Sequence, residues 1–359
     1  MKKMKFALVG CGRISKKHAE ILSSELTDKA QLIAVCDINQ QKAEAVGTKY
    51  NIPWFTGYNE MLQKHPEIEV VNILTESGNH AKPTIDIVEK YKKHIVVEKP
   101  MALTLRDADA MIRTCDMNGC KLFVVKQNRY NLPVMKLREA IETDKFGKLV
   151  MGSVRVRWCR PQAYYNQDKW RGTWAMDGGV FTNQASHHID LLEWMLGEPI
   201  SVFAKSRTAL VDIETEDTGV AVITFRNGAI GIVEATTATR PKDLEGSLSI
   251  LGEHGTVEIG GFAVNQMKTW NFEDESMDSE TIAKYMENPP NVYGFGHIRY
   301  LDNVCESLLH NKKGLVDGLE GRKSLELINA IYESVETGLE VSLRFLPQKC
   351  RLGLANGNR

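Results

Sequence analysis

Two groups of residues in this sequence could between them handle a proton and a hydride. The first is Glu98-Lys99-Pro100, directly after the apolar run 94–97. A lysine there can hydrogen-bond a substrate hydroxyl, lower its pKa and steady the alkoxide character that develops as hydride leaves carbon. Pro100 biases Lys99 away from the αR conformation, and an X-Pro bond in such a turn can be cis. The same residues could equally close a surface turn as a Glu-Lys pair. The second group lies in Gly178-Gly179-Val180-Phe181-Thr182-Asn183-Gln184-Ala185-Ser186-His187-His188. Read as one helix over 179–196, the i, i+4 spacing puts Asn183 and His187 on one face. An imidazole with an ordinary pKa of about 6.5 suits a general base at neutral pH, the alternative for His187 being a core or surface histidine. His188 then points about 100° away and reads as structural. Asn183 carries an amide, which cannot relay a proton, and reads as a binder of a substrate oxygen.

Hydride chemistry needs an acceptor, and the N-terminal region offers a place for one. Val9-Gly10-Cys11-Gly12-Arg13-Ile14-Ser15 follows a predicted strand and opens a predicted helix, the context in which a glycine-rich fingerprint carries meaning. Gly10 permits the tight turn, Gly12 lets the backbone approach a pyrophosphate, and the helix N-terminus supplies amide donors. Ser15 stands where a third glycine is usual, and is small enough for close packing. Asp37 ends the predicted second strand, where a carboxylate accepts from the adenosine ribose hydroxyls and repels a 2′-phosphate, favouring NAD over NADP. Its alternative is a helix N-cap before Asn39-Gln40.

The elements that must position these residues are an α/β pattern followed by a more β-rich one. Apolar runs at 5–9, 32–36, 70–74, 94–97 and 122–126 alternate with helical stretches at 14–26, 41–50, 82–91 and 105–118. That alternation predicts a Rossmann-type parallel sheet over 1–128. A second, α+β domain over 129–346 is predicted to hold a largely antiparallel open sheet, with Val154, Val156 and Trp158 facing opposite to Arg155 and Arg157. Residues 220–225 and 229–234 flank Asn227-Gly228, a hairpin signal. A helix at 134–143 precedes the strands, helices at 179–196, 297–309 and 320–335 are available to cover that sheet, and 347–359 reads as a loosely held tail.

Composition narrows the partners. The 359 residues carry a formal net charge of −1, with 43% hydrophobic and 25% charged residues, which disfavours nucleic acid or an anionic membrane held by bulk electrostatics. No apolar run is long enough to span a bilayer and no signal-peptide core follows Met1, so a cytoplasmic location is expected. Seven scattered cysteines lack zinc-site spacing; reduced thiols and no metal are expected.

The order Gly10-x-Gly12, Asp37, Asn79-His80, Glu98-Lys99-Pro100, then Gly178-Gly179 and His187, resembles the Gfo/Idh/MocA oxidoreductases over nearly the whole chain. The resemblance implies that Lys99 and His187 are catalytic. It implies that NAD is held by Gly10, Gly12, Arg13, Ile14, Asp37, Leu74, His80, Glu98, Lys99, Gln127, Trp170 and Arg171. It assigns Lys99, Arg160, Asn183, His187 and His297 to substrate. Asn183 departs from the aspartate common there, which puts a Lys-Asp-His relay in doubt. The wording Lys169-Trp170-Arg171-Gly172-Thr173-Trp174 and Asn183-Gln184-Ala185-Ser186-His187 is similar to the branch that oxidises C3 of UDP-linked N-acetylglucosaminuronic acid in bacterial O-antigen synthesis. Such a substrate suits the basic and aromatic stretch 155–174, where Arg155, Arg157, Arg160, Lys169 and Arg171 face a single acid, Asp168. The resemblance also implies a homo-oligomer, a dimer or tetramer, and in some relatives 2-oxoglutarate recycles the NADH. An inositol or other sugar dehydrogenase, or an NAD-bound sensor without catalysis, are the competing readings.

Overall fold

The computed structural model describes residues 2–273, 279–287, 294–343 and 350–353. The chain divides into two compact units, Met1–Lys126 with His297–Arg322, and Gln127–Gly296 with Lys323–Arg359.

The first unit is built on β1 (Met4–Val9), β2 (Ala30–Cys36), β3 (Trp54–Phe55), β4 (Val70–Ile73), β5 (His94–Val97) and β6 (Leu122–Val124), in the order β3-β2-β1-β4-β5-β6. All pairings are parallel. Phe6, Leu8, Val71, Ile73, Ile95 and Val96 are completely buried, which explains their unbroken apolar runs: helices cover both faces. The order reverses direction at β1 and β4, so ligand-binding loops gather at the carboxyl ends of these strands. β3, only two residues long, is too short to register as a period in the sequence. The helix expected over 14–26 runs as Ser15–Glu20 and then as a π-helical turn, Ile21–Glu25.

Within the stretch expected as the second domain, His297–Arg322 groups with the first compact unit. Lys29 forms ion pairs with Asp302 and Glu306, and Val124 N–H donates to the Val316 carbonyl at 3.2 Å, so this segment seals the edge of β6. Its glycines allow the approach: a side chain at Gly318 would lie 2.8 Å from Ile112.

The second unit contains β7 (Leu149–Arg157), β8 (Pro199–Arg207), β9 (Thr218–Phe225), β10 (Ile230–Thr236), β11 (Glu245–Gly252), β12 (Gly255–Gly260), β13 (Gln266–Phe272) and β14 (Val341–Ser342). They form one open sheet, β13-β12-β11-β7-β10-β9-β8-β14, antiparallel except where β10 runs parallel to β7. The predicted alternation holds: Val154 and Val156 are buried. So does the hairpin, with Gly228 at φ +88 in the turn from β9 to β10. The inner face packs on the helix Ser186–Leu196; a side chain at Gly152 would meet Leu192 and Leu196 at 3.0 Å. The outer face leaves Phe203, Val220, Val222 and Ile230 exposed.

One expectation fails here. The helix expected from 179 begins only at Ser186, and residues 180–184 form turns. Gly178 sits at φ +80 and the Glu216 carboxyl fills the space where a side chain at Gly179 would stand, so this stretch has its own conformation. Asn183 therefore does not share a helix face with His187. The tail expected to be loose is pinned where it is described. Leu352 is buried, Arg351 pairs with Glu336 and lies 4.4 Å over the Trp174 ring, and Gly353 N–H donates to the Trp174 carbonyl. The remainder of 347–359 lies outside the described residues. Among the described residues no helix is long and apolar enough to cross a membrane.

Candidate active site

The glycine loop of the first unit is shaped for a phosphate-bearing ligand. Gly10 has φ +102, and a Cβ there would lie 2.6 Å from the Leu74 backbone, so only glycine fits between β1 and β4. At Gly12 the Cβ direction meets nothing within 4 Å, which leaves room for a pyrophosphate to approach the backbone. The missing third glycine proves useful: the Ser15 hydroxyl donates to the Gly12 carbonyl at 2.7 Å and straps the loop. Asp37 accepts from Cys11 N–H at 2.7 Å and from Asn39 N–H at 2.8 Å, locking the loop to the end of β2. A carboxylate has about four acceptor sites, so capacity remains for two ribose hydroxyls. The N-cap alternative for Asp37 is taken by Asn39, whose side chain accepts from Lys42 N–H. Beside Asp37 the apolar Ile38 is 92% exposed, a surface that an adenine ring would cover. Arg13 is exposed and Ile14 half-buried on the same loop. These residues fit NAD.

At the end of β5 the Glu98-Lys99-Pro100 turn is held from several sides. His18 lies between Asn72, whose amide reaches Nδ1 at 2.9 Å, and Glu98, whose Oε1 is 3.0 Å from Nε2. With Asn72 donating, His18 is neutral and its Nε2–H donates to Glu98. Burial lowers the His18 pKa in agreement. Lys99 N–H donates to Glu98 Oε2. Burial alone would raise the Glu98 pKa; the contacts to His18 and His297 outweigh it and hold the carboxyl well below its ordinary range. The Lys99–Pro100 bond is cis. The Pro100 carbonyl meets His80 Nδ1 at 2.7 Å, and His80 Nε2 meets the Thr75 carbonyl at 3.0 Å. His80, expected at the cofactor, is buried and ties the turn to the Thr75 loop through these two bonds. His297, expected at the substrate, is also buried, with Nε2 3.8 Å from Glu98 Oε1. His18, Glu98 and His297 bring donor atoms within 4.8 Å of one another, a geometry that could hold a metal ion. The His18 proton directed at Glu98 opposes that use.

The second unit places His187 at the start of the helix Ser186–Leu196, with Nε2 3.0 Å from the Gln127 amide nitrogen. Gln127 Oε1 is buried and has no partner among the described residues, an acceptor suited to a ligand N–H or O–H. The helix is fixed to the 127–130 turn by Arg129, which grips Asp190 through two 2.8 Å bonds and stacks over Trp194. Arg129 and Asp190 escaped the sequence reading, although Asp190 stands one turn after His187 and a buried carboxylate there required a partner. Asn183 donates from Nδ2 to Asp177 Oδ1 at 2.6 Å. His188 is structural as expected: it lies edge-on to Trp158, and burial pushes its pKa down to about 4.

The basic stretch is less available than its sequence suggested. Arg157 pairs with Glu234 and Glu245, Arg155 with Glu245, Arg160 with Asp243, and Arg171 with Asp168. Arg160 and Arg171 also lie over the Tyr164 ring, and Arg171 over Trp170, in an aromatic ladder. Lys169 is exposed.

The first unit, with its glycine loop, the Asp37 carboxylate at the end of β2 and Lys99 at the end of β5, has the features of a nicotinamide-dinucleotide fold. Family models agree: "Oxidoreductase family, NAD-binding Rossmann fold" matches residues 4–126 and "Oxidoreductase family, C-terminal alpha/beta domain" matches 138–343. The chain belongs to the Gfo/Idh/MocA oxidoreductase family, and its cofactor is NAD. It is similar to the WlbA dehydrogenase from Bordetella pertussis, solved with NADH and UDP-GlcNAcA, at 41% identity and a TM-score of 0.89, covering 95% of this chain and 98% of that one. The WlbA dehydrogenase from Chromobacterium violaceum, solved with the same ligands, matches at 40% identity and a TM-score of 0.89, covering 96% of each chain. The myo-inositol 2-dehydrogenase of Thermotoga maritima is 26% identical over 95% of this chain and 98% of its own length.

Proposed function

We propose that this NAD-dependent dehydrogenase oxidises the C3 hydroxyl of UDP-N-acetylglucosaminuronic acid to the 3-keto sugar, a precursor for lipopolysaccharide O-antigen. The observation that supports this substrate is the 40–41% identity, over nearly the full length, to two dehydrogenases captured with UDP-GlcNAcA.

In the proposed chemistry His187 is the base and Lys99 the group that polarises the oxygen. Because the Gln127 amide donates to His187 Nε2, that nitrogen carries the lone pair. A substrate hydroxyl that displaces the Gln127 N–H delivers its proton to Nε2. Gln127 then turns to a new acceptor, while its buried Oε1 gains a ligand donor. Lys99 donates to the same substrate oxygen and stabilises the charge that builds on it. NAD, which the glycine loop at Gly10–Gly12 and Asp37 would hold, would supply the acceptor for the hydride of the carbinol carbon. Glu98, kept ionised by its histidine neighbours, accepts from a ribose hydroxyl. Arg160 and the Tyr164 ring form an edge suited to the acidic and aromatic parts of the substrate. The apolar outer sheet face fits a homo-oligomer.

Oxidation of a neutral polyol is the second reading. It is favoured by the internal pairing of Arg155, Arg157, Arg160 and Arg171, and by the inositol dehydrogenase relative. Purified protein with NAD, offered UDP-GlcNAcA or myo-inositol, separates the two by NADH absorbance. Turnover on the nucleotide sugar with none on inositol supports the proposal, and the reverse overturns it. Adding 2-oxoglutarate tests whether NADH is recycled in place.

A further inference from the structure

Asn183 stands in the stretch that the sequence assigns to substrate, and its side-chain amide has two faces of opposite polarity. Which face points where is decided by its neighbour. Asp177 is buried, with 1% of its surface exposed, and its Oδ1 lies 2.6 Å from Asn183 Nδ2. Its Oδ2 accepts from Gly172 N–H at 2.8 Å, and its own N–H donates to the Thr173 carbonyl. A carboxylate only accepts. The amide therefore has to turn its NH2 toward Asp177, and its carbonyl oxygen away. The backbone leaves little freedom to evade this, since Asn183 N–H donates to Gly179 O and its carbonyl accepts from the Ser186 hydroxyl.

We infer that Asp177 is a positioning residue that sets the polarity of Asn183, so that Asn183 presents an acceptor to a substrate hydroxyl. The inference rests on the reading that Asn183 meets substrate, and it adds a residue outside every set assigned so far. It also explains why an amide suits position 183. An aspartate there would bring a second carboxylate against Asp177, and one of the two would have to keep a proton.

The substitution Asp177→Asn isolates the effect. The amide it introduces can still accept from Gly172 N–H through its carbonyl, which leaves its NH2 facing Asn183. Asn183 then has to flip, and offers a donor where it had offered an acceptor. The double variant Asp177→Asn with Asn183→Asp restores an acceptor at 183 and satisfies both hydrogen bonds with the roles exchanged.

With UDP-GlcNAcA as probe, Asp177→Asn is expected to lower kcat/KM by about 10- to 100-fold, the size of one hydrogen bond replaced by an unpaired polar contact. Its melting temperature should stay near that of the parent, and the double variant should recover most of the loss. A loss without rescue, or no loss, overturns the inference. Asn183→Leu separates the two layers. If it leaves kinetics unchanged, the substrate reading of Asn183 fails and the inference falls with it; if it is damaging while Asp177→Asn is silent, the inference alone fails. A readout independent of turnover is the side-chain NH2 signal of Asn183 in asparagine-labelled protein. Binding to a buried carboxylate predicts slow exchange and a downfield proton, both lost in Asp177→Asn; an unchanged signal overturns the inference whatever the substrate.

Discussion

Replacing Glu216 by glutamine should change how stability depends on pH, by an amount that the structure fixes. Glu216 is buried beneath the turn that carries Asn183; its Oε1 accepts from Phe181 N–H at 3.0 Å and from the Tyr332 hydroxyl at 2.8 Å. Burial, helped by Asp177 and opposed by these hydrogen bonds, raises its pKa from 4.5 to about 7. Between those two pH values the folded protein keeps a proton that the unfolded chain has released, so stability falls as pH rises. Each pKa unit corresponds to about 1.4 kcal/mol. The loss between pH 4.5 and 7 is therefore roughly 3 kcal/mol. Glutamine keeps an acceptor for Phe181 and Tyr332 and never ionises. His188 works in the opposite sense: its pKa, lowered to about 4 by burial, costs stability as pH falls from about 6.5. Both proteins contain His188, so it cancels in the difference. Thermal or urea midpoints of wild type and Glu216→Gln at about pH 5 and about pH 8 provide the assay. Relative to wild type, the variant should gain roughly 3 kcal/mol on going to the higher pH. A difference that is the same at both pH values would show that Glu216 does not hold a proton in the folded state.

Three further outcomes are expected. Asp37→Ala removes the proposed ribose acceptor and the strap on Cys11, so NAD should bind about 10- to 100-fold more weakly and its preference over NADP should shrink, as measured by the two dissociation constants. Lys99→Met and His187→Asn should each lower kcat by about 10²- to 10⁴-fold, His187→Asn while leaving NAD affinity nearly intact by fluorescence titration; near-parental kcat in both would remove their assigned roles. Arg129→Met leaves Asp190 buried without its guanidinium and should cost about 3–5 kcal/mol in denaturant unfolding, far more than truncating the exposed pair of Arg226 and Glu198.

What was legible in the sequence was whatever depends on neighbours along the chain. Gly10, Gly12 and Asp37 lie on one βαβ unit, Glu98-Lys99-Pro100 ends a strand marked by its own apolar run, and Asn227-Gly228 announces its hairpin. What was hidden depends on partners brought in from elsewhere. The single-acid count over 155–174 ignored Glu234 and Glu245, which reach Arg157 from 77 and 88 residues away across adjacent strands. The i, i+4 argument for Asn183 and His187 presumed a helix that the Gly178-Gly179 turn and Glu216 prevent from starting before Ser186. The resemblance assigns His297 to substrate, and its grouping with the Rossmann unit, through the ion pairs of Lys29 with Asp302 and Glu306 on the same helix, had no signal in the sequence. Asp177 gave no signal at all, since a buried acid beside two glycines has no spacing to recognise.

The central claim is hydride removal from one carbon of one sugar, and a labelled substrate tests it directly. UDP-GlcNAcA deuterated at C3, incubated with the enzyme and NAD, should yield reduced cofactor one mass unit heavier and a 3-keto product that has lost the label. Unlabelled NADH formed as this substrate is consumed would place the oxidation at another carbon, and no NADH at all would contradict the account.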